Sequence, residues 1–261
     1  MENFKISDGG LAYYDRGEGE VVLLLHGFCG SSAYWDELVP LLDSHRVITV
    51  DLTGHGKSRF QQGLLSIEAM ANDIYQLSQE LTLPPFHLFG HSLGGYITLA
   101  YAEMYEKSLK SFGLIHSTAF PDSEDAKEKR LGDIQNIELN GMVPFTNSLV
   151  QKLFSNESNP HFNEWKRKAI EIGLMTHSEA AQAMLIAMRE RIDRRMTIVH
   201  AKVPVLLVAG EKDRIIPVDK VYTSNHPHVK RVLLKESGHM GMVEEADLLA
   251  FELKKFMMRR D

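Results

Sequence analysis

The chain has 261 residues, 44% hydrophobic and 25% charged, the balance of a globular protein with length enough for a large core. Its formal net charge of −6 argues against a nucleic-acid binder, which would carry a basic face. A single cysteine, Cys29, excludes an internal disulfide framework and suits a reducing compartment. The first ten residues carry no apolar leader core, and no run of about 18 apolar residues occurs. The expected location is therefore the cytoplasm, with no membrane partner.

Residues Phe4–Ser7 and Leu11–Asp15 flank Asp8-Gly9-Gly10, a hairpin signal. Val21–Leu25 is a continuous apolar run, as in strands buried on both faces of a parallel sheet. Trp35, Leu38, Val39 and Leu42 share one face of a helix expected over Tyr34–Leu42. A strand over Arg46–Asp51 and a helix over Ser66–Leu81 follow, then the strand Phe86–Gly90 and a second helix beyond it. Further strands are expected at Lys110–His116, Val203–Ala209 and Val229–Lys235, with an amphipathic helix over Gly241–Met258 closing the chain. Alternating strands and helices predict a mostly parallel sheet of about eight strands, the first pairing antiparallel, with helices on both faces.

Residues 119–200 break that rhythm. They show helical patterning without a strand, most clearly over Ser178–Met196, where Ala181, Leu185, Met188 and Ile192 line one face. The expected organisation is a core in two parts, 1–118 and 201–261, with a helical cap, 119–200, inserted between them. Arg189, Arg191, Arg194 and Arg195 make a basic end to the cap helix, read as a solvated face, with recognition of an acidic substrate group as the alternative.

The chemistry centres on Gly90-His91-Ser92-Leu93-Gly94-Gly95 between a strand and a helix. That placement matches a nucleophile elbow, a strained turn that lifts a serine hydroxyl clear of the sheet. A serine needs a base, and the base needs an orienting acid. Reading forward, Asp213 follows one strand and His239 the next, at the carboxyl edge where ligands collect. Glu211 is the rival acid. The strand ending at His116 offers no carboxylate, since His116-Ser117-Thr118-Ala119 follows.

The oxyanion of acyl transfer requires two backbone donors. The N–H groups of Leu93 and of Phe28, in the loop His26-Gly27-Phe28-Cys29-Gly30, are assigned to it. His26, Gly27, Cys29 and His91 are placed at the substrate site, His26 as a loop brace and Cys29 as a small buried filler. Met184, Met188 and Met240 are assigned to the pocket, flexible thioethers being suited to an adaptable wall. Gly56-Lys57-Ser58 resembles the end of a phosphate-binding loop but has Asp51 where that motif requires glycine.

Together, His26-Gly27-Phe28-x-Gly30, Asp51-Leu52-x-Gly54-His55-Gly56-x-Ser58, the Ser92 elbow, Gly210-x-x-Asp213 and Gly238-His239 resemble the α/β-hydrolase fold family over nearly the whole chain. Within it the chain is most similar to small capped carboxylesterases. The resemblance implies an α/β fold, a Ser92–His239–Asp213 triad and a small-molecule ester substrate of largely apolar character. Neither metal nor organic cofactor is expected. Alternatives are a carbon–carbon bond hydrolase, an enol-lactonase or a lyase using the same triad, and a ligand-sensing receptor with a slow triad. His91 stands where carbon–carbon hydrolases usually carry Asn, and Ser92 is incompatible with an aspartate-nucleophile dehalogenase or epoxide hydrolase.

Overall fold

A computed structural model of the chain describes residues 4–60, 65–155 and 159–258. Residues 1–3, 61–64 and 259–261 of the expected core, and 156–158 of the expected cap, lie outside it. Eight strands form one sheet: β1 (Lys5–Ile6), β2 (Ala12–Arg16), β3 (Glu20–Leu25), β4 (His45–Val50), β5 (Phe86–His91), β6 (Leu109–Ile115), β7 (Val205–Gly210) and β8 (Val229–Leu234). Their order is β1-β2-β4-β3-β5-β6-β7-β8. The β1–β2 and β2–β4 pairs are antiparallel and every later pair is parallel. Every expected strand is present, with ends displaced by two residues at most.

Order along the sheet reverses at β3, which has β4 on one side and β5 on the other. A crevice opens at the carboxyl ends of strands flanking such a reversal, and ligands bind there. The apolar strands are buried on both faces because helices cover both. Leu23, Leu25, Leu88 and Leu207 pack to one core, whereas Val22, Leu24, Phe89 and Val208 pack to the other. This period-two alternation follows from the pleat.

The helices are α1 (Ile67–Glu80), α2 (Leu93–Tyr105), α3 (Glu124–Asn140), α4 (Met142–Val150), α5 (Pro160–Leu174), α6 (Ser178–Arg189), α7 (Arg195–His200), α8 (Val218–Val221), α9 (Gly241–Glu244) and α10 (Ala246–Met257). Ser66 caps α1 by accepting the Ala69 N–H at 3.0 Å. Ten consecutive residues of α2, Leu93 to Ala102, are buried, as expected of a helix wedged between the sheet and α1. Between β6 and β7 the described residues form α3 to α7 and no strand. Among the described residues no helix is long and apolar enough to cross a membrane.

Three helix expectations need correction. Tyr34–Leu42 forms two 3₁₀ turns, Ser32–Trp35 and Val39–Leu41, closed by three-residue bonds such as Leu38 N–H to Trp35 O and Leu42 N–H to Val39 O. Pro40 supplies no N–H and disfavours α geometry at Val39. The apolar face is nonetheless buried, with Trp35, Leu38 and Leu42 fully enclosed.

The helix expected over Ser178–Met196 ends at Arg189, which leaves Ile192 55% exposed. The arginines after it are not all solvated: Arg191 is buried against Asp122, and Arg194 is buried against Glu68 and Glu103. Those two carboxylates stand on α1 and α2, so Arg194 ties the segment after α6 to the core.

The closing helix breaks at Glu245 (φ −139°, ψ 50°). Glu244 and Glu245 there turn their carboxylates to the preceding loop. Phe251, an aromatic residue of this helix, is 56% exposed.

Candidate active site

Ser92 ends β5 with φ +50° and ψ −113°, a backbone state that a residue with a Cβ holds only when its surroundings impose it. The surroundings here are close-packed backbone. A Cβ on Gly90 would stand 2.1 Å from Gly94 O, and one on Gly94 2.4 Å from Leu25 O. Ser92 N–H donates to Ile115 O at 3.0 Å, and the Ser117 hydroxyl donates to Ser92 O at 2.7 Å. The bend is thus clamped by β6 and its loop. Cys29 and His116 also take positive φ, +53° and +47°, just beyond the ends of β3 and β6. Strain is concentrated along one rim of the sheet.

Asp213 follows β7 and His239 follows β8. His239 Nδ1 lies 2.8 Å from Asp213 Oδ2, with both side chains buried. Asp213 Oδ1 accepts the Ile215 and Ile216 N–H groups at 2.8 and 3.0 Å. Burial alone would raise this carboxyl, but His239 and His116 outweigh it and hold the group far below the usual carboxylate range. The loop of His239 is fixed independently. Its N–H donates to Leu153 O at 2.7 Å, while Glu244 accepts the Gly238 and Met240 N–H groups at 2.8 and 3.1 Å. Glu211, the rival acid, is exposed on the same turn.

His116 is a residue that sequence reasoning passed over. Its Nε2 accepts the Gly241 N–H at 3.1 Å, which leaves the proton on Nδ1, 3.5 Å from Asp213 Oδ2. The carboxylate is therefore flanked by two imidazoles. His116, Asp213 and His239 offer ligand-type atoms within 4.8 Å of one another. They do not fit a cation, because the His116 nitrogen facing the carboxylate carries a proton and Asp213 Oδ2 is the acceptor for His239.

Histidines also brace the loop after β3. His26 Nε2 accepts the Leu52 N–H at 2.9 Å, and His55 Nε2 accepts the Cys29 N–H at 3.1 Å. Their other nitrogens face Gly27 O and Thr53 O at 2.7 and 3.2 Å. Both rings are wholly buried and neutral: burial pushes His26 down to about 4, and burial with the neighbouring His26 pushes His55 down to about 3. Asp51 adds support by accepting the Ser32 and Lys57 N–H groups at 2.7 and 2.9 Å. With the Cys29 N–H directed to His55 and the Gly30 N–H to Gly27 O, the Phe28 N–H has no such partner among the described residues. Leu93 opens α2, where the first N–H groups lack an acceptor within the helix.

A cavity of about 90 Å³ is walled by Ser92, His239, His91, Phe28, Met188 and Arg130, among others. It brings the expected nucleophile and base to one space. Of the other residues placed at the substrate site, His91 lies mainly behind that space, donating from Nε2 to His239 O at 2.8 Å. Burial, reinforced by His239 and His116, keeps its ring well below the usual histidine range. Cys29 is enclosed, and burial pushes its thiol up, away from thiolate chemistry. His26, Gly27 and Cys29 stand outside the cavity wall. Met184 and Met240, expected at the pocket, instead fill the cores on opposite faces of the sheet. Helical spacing marks a residue as buried without saying which surface it meets.

The sequence profile of the α/β hydrolase fold family matches residues 20–164. The chain is 27% identical to Lipase 1 of Psychrobacter immobilis, over 94% of this chain and 80% of that protein. The structure superposes on a thermophilic esterase from Thermogutta terrifontis with a TM-score of 0.89 and 28% identity, covering 95% and 92% of the two chains. It also superposes on the enol-lactonase from Burkholderia xenovorans LB400 with a TM-score of 0.90, covering 98% and 100%, but at 20% identity this likeness concerns the fold alone. With its profile spanning more than half of the sequence, and with the strained elbow and sheet order just described, the chain belongs to the α/β hydrolase fold family.

Proposed function

We propose that the protein is a serine hydrolase that cleaves carboxylic esters through an acyl-enzyme. Ser92 Oγ attacks the ester carbonyl, and His239 Nε2 takes its proton and returns it to the departing alkoxide. Asp213 holds the Nδ1 proton of His239 and stabilises the imidazolium as it forms. The Phe28 and Leu93 N–H groups receive the oxyanion. Water, activated by the same imidazole, then releases the acid. Residues 119–200 serve as a cap that walls the site, through Arg130, Leu149, Leu153 and Met188, over a core of residues 1–118 and 201–261.

One observation carries this reading. The 2.8 Å Asp213–His239 contact is buried, and the imidazole shares its small cavity with a serine held at φ +50°. The lipase and esterase named among the relatives point the same way. Phe28, Tyr34, Tyr96, Leu149 and Ile215 beside Ser92 suit an apolar segment next to the scissile carbonyl.

A panel of p-nitrophenyl esters tests it. Rapid release of one equivalent of p-nitrophenol followed by steady turnover is expected, with the best rates on short acyl chains. An initial burst without turnover would favour a receptor. Absence of ester cleavage alongside cleavage of a vinylogous diketone would replace the ester reading with carbon–carbon chemistry.

A further inference from the structure

Behind the small cavity lies a larger one of about 600 Å³, and the two share Phe28, Tyr96, Arg130, Leu149 and Ile215 as walls. The larger cavity has a charge opposite to that of the chain. Lys129, Arg130, Lys152, Arg191, Arg195 and Lys220 face only Asp122, Asp133 and Asp193, an excess of three cations in a protein of net charge −6.

The excess is most sharply placed where the cavities meet. Arg130 Nε approaches Asp122 Oδ2 at 2.5 Å, and Arg191 Nη1 approaches Asp122 Oδ1 at 2.6 Å. Two guanidinium groups therefore share one carboxylate among side chains that are 19%, 5% and 5% exposed, and the next acid, Asp133, is itself shared by Arg130 with Lys129 and Lys152. Arg191 is otherwise occupied with neutral partners, Met188 O, Phe120 O and the Tyr96 ring, whose centroid lies 4.1 Å from its Cζ. Arg130 is the member that reaches the wall of the Ser92 cavity. A half-buried cation that must share its counter-charges with other cations is costly, and a ligand anion relieves that cost. A planar guanidinium is, moreover, shaped for a carboxylate.

We infer that the substrate carries a second, ionised carboxylate, and that Arg130, supported by Arg191, receives it. The substrate is then a dicarboxylic half-ester, with its ester at Ser92, a short apolar spacer in the small cavity and its free carboxylate at the junction. The small cavity, about 90 Å³, leaves room beside the ester for a short spacer only. This rests on the esterase reading above and adds the substrate class.

The experiment compares methanol release from monomethyl glutarate with release from methyl 5-methylhexanoate, its neutral isostere. The expected ratio of kcat/KM is about tenfold or more in favour of the anion, falling as salt is added. Arg130→Gln should lower that ratio about tenfold, and Lys152→Gln, on the same wall, should lower it less. Asp122→Asn, which frees both guanidinium groups, should raise it. Equal or better cleavage of the neutral ester, or a ratio indifferent to Arg130→Gln, would overturn this inference and leave the esterase reading standing. Failure to cleave either methyl ester by a protein that turns over p-nitrophenyl esters would overturn this inference alone, and failure on all of these esters would overturn both.

Discussion

Acid should unfold this protein through the histidines that brace the loop after β3. His26 and His55 are wholly buried and neutral, held down to about 4 and about 3, against about 6.5 in an unfolded chain. Between pH 6.5 and 4 the unfolded state binds more protons than the folded one, so stability rises with pH across that window and is lost as pH falls through it. Each such histidine contributes a slope of about 1.4 kcal/mol per pH unit once the unfolded form is protonated. Two of them over about two units remove on the order of 5 kcal/mol, comparable with the whole stability of a typical domain, about 5–15 kcal/mol. His91, also held below its usual range, adds in the same direction. Asp213 acts later, because the stability from its lowered carboxyl is present above about pH 4 and is lost only below it. Urea midpoints followed by the fluorescence of Trp35 and Trp165 at half-unit steps from pH 7.5 to 4.5 should fall steeply below 6.5. In His55→Gln, whose amide oxygen can accept the Cys29 N–H, the slope should shrink by about one proton. A midpoint constant between pH 7 and 5 would refute the reasoning.

Other perturbations separate the roles of neighbouring groups. Asp213→Asn should lower kcat about 10⁴-fold by analogy with other triads, while Glu211→Gln leaves it near the parent value; the reverse pattern in ester turnover would move the acid to Glu211. His116→Gln should lower kcat about tenfold and shift the acid limb of the pH–rate profile, because one of two imidazoles facing Asp213 Oδ2 is removed. An unchanged profile would make His116 a filler. Gly94→Ala should cost several kcal/mol in urea unfolding, since its Cβ would stand 2.4 Å from Leu25 O and 2.8 Å from His26 O, both backbone atoms.

The sheet was legible because its strands are short apolar runs broken by glycine, proline and polar turns. Residues such as Val21 to Leu25 and Val205 to Ala209 pack on both faces and leave little ambiguity. The elbow was legible for a related reason: close approach of β3, β5 and α2 forbids a side chain at Gly90 and Gly94, and that exclusion is written into the sequence. What stayed hidden depends on pairings between residues remote in the chain. Arg191 and Arg194 look like solvent-facing charges until Asp122, Glu68 and Glu103 are brought to them across 69, 126 and 91 residues. His116 was noted only for not being a carboxylate, although a histidine at a strand end on the ligand edge was a signal in itself. The methionines differ among themselves. Periodicity marks Met184 and Met188 as inward, and both pack in the same core, yet only Met188 also reaches the cavity wall, and only the placement of neighbouring helices separates them.

Labelling with a fluorophosphonate probe, followed by peptide mass spectrometry, tests the nucleophile most directly. Stoichiometric modification at Ser92 is expected, abolished in Ser92→Ala together with ester turnover, which should fall by about 10⁶, while the unfolding free energy from urea titration stays within about 1 kcal/mol of the parent. Modification elsewhere, or a Ser92→Ala protein that still turns over esters at the parent rate, would contradict acyl transfer through Ser92.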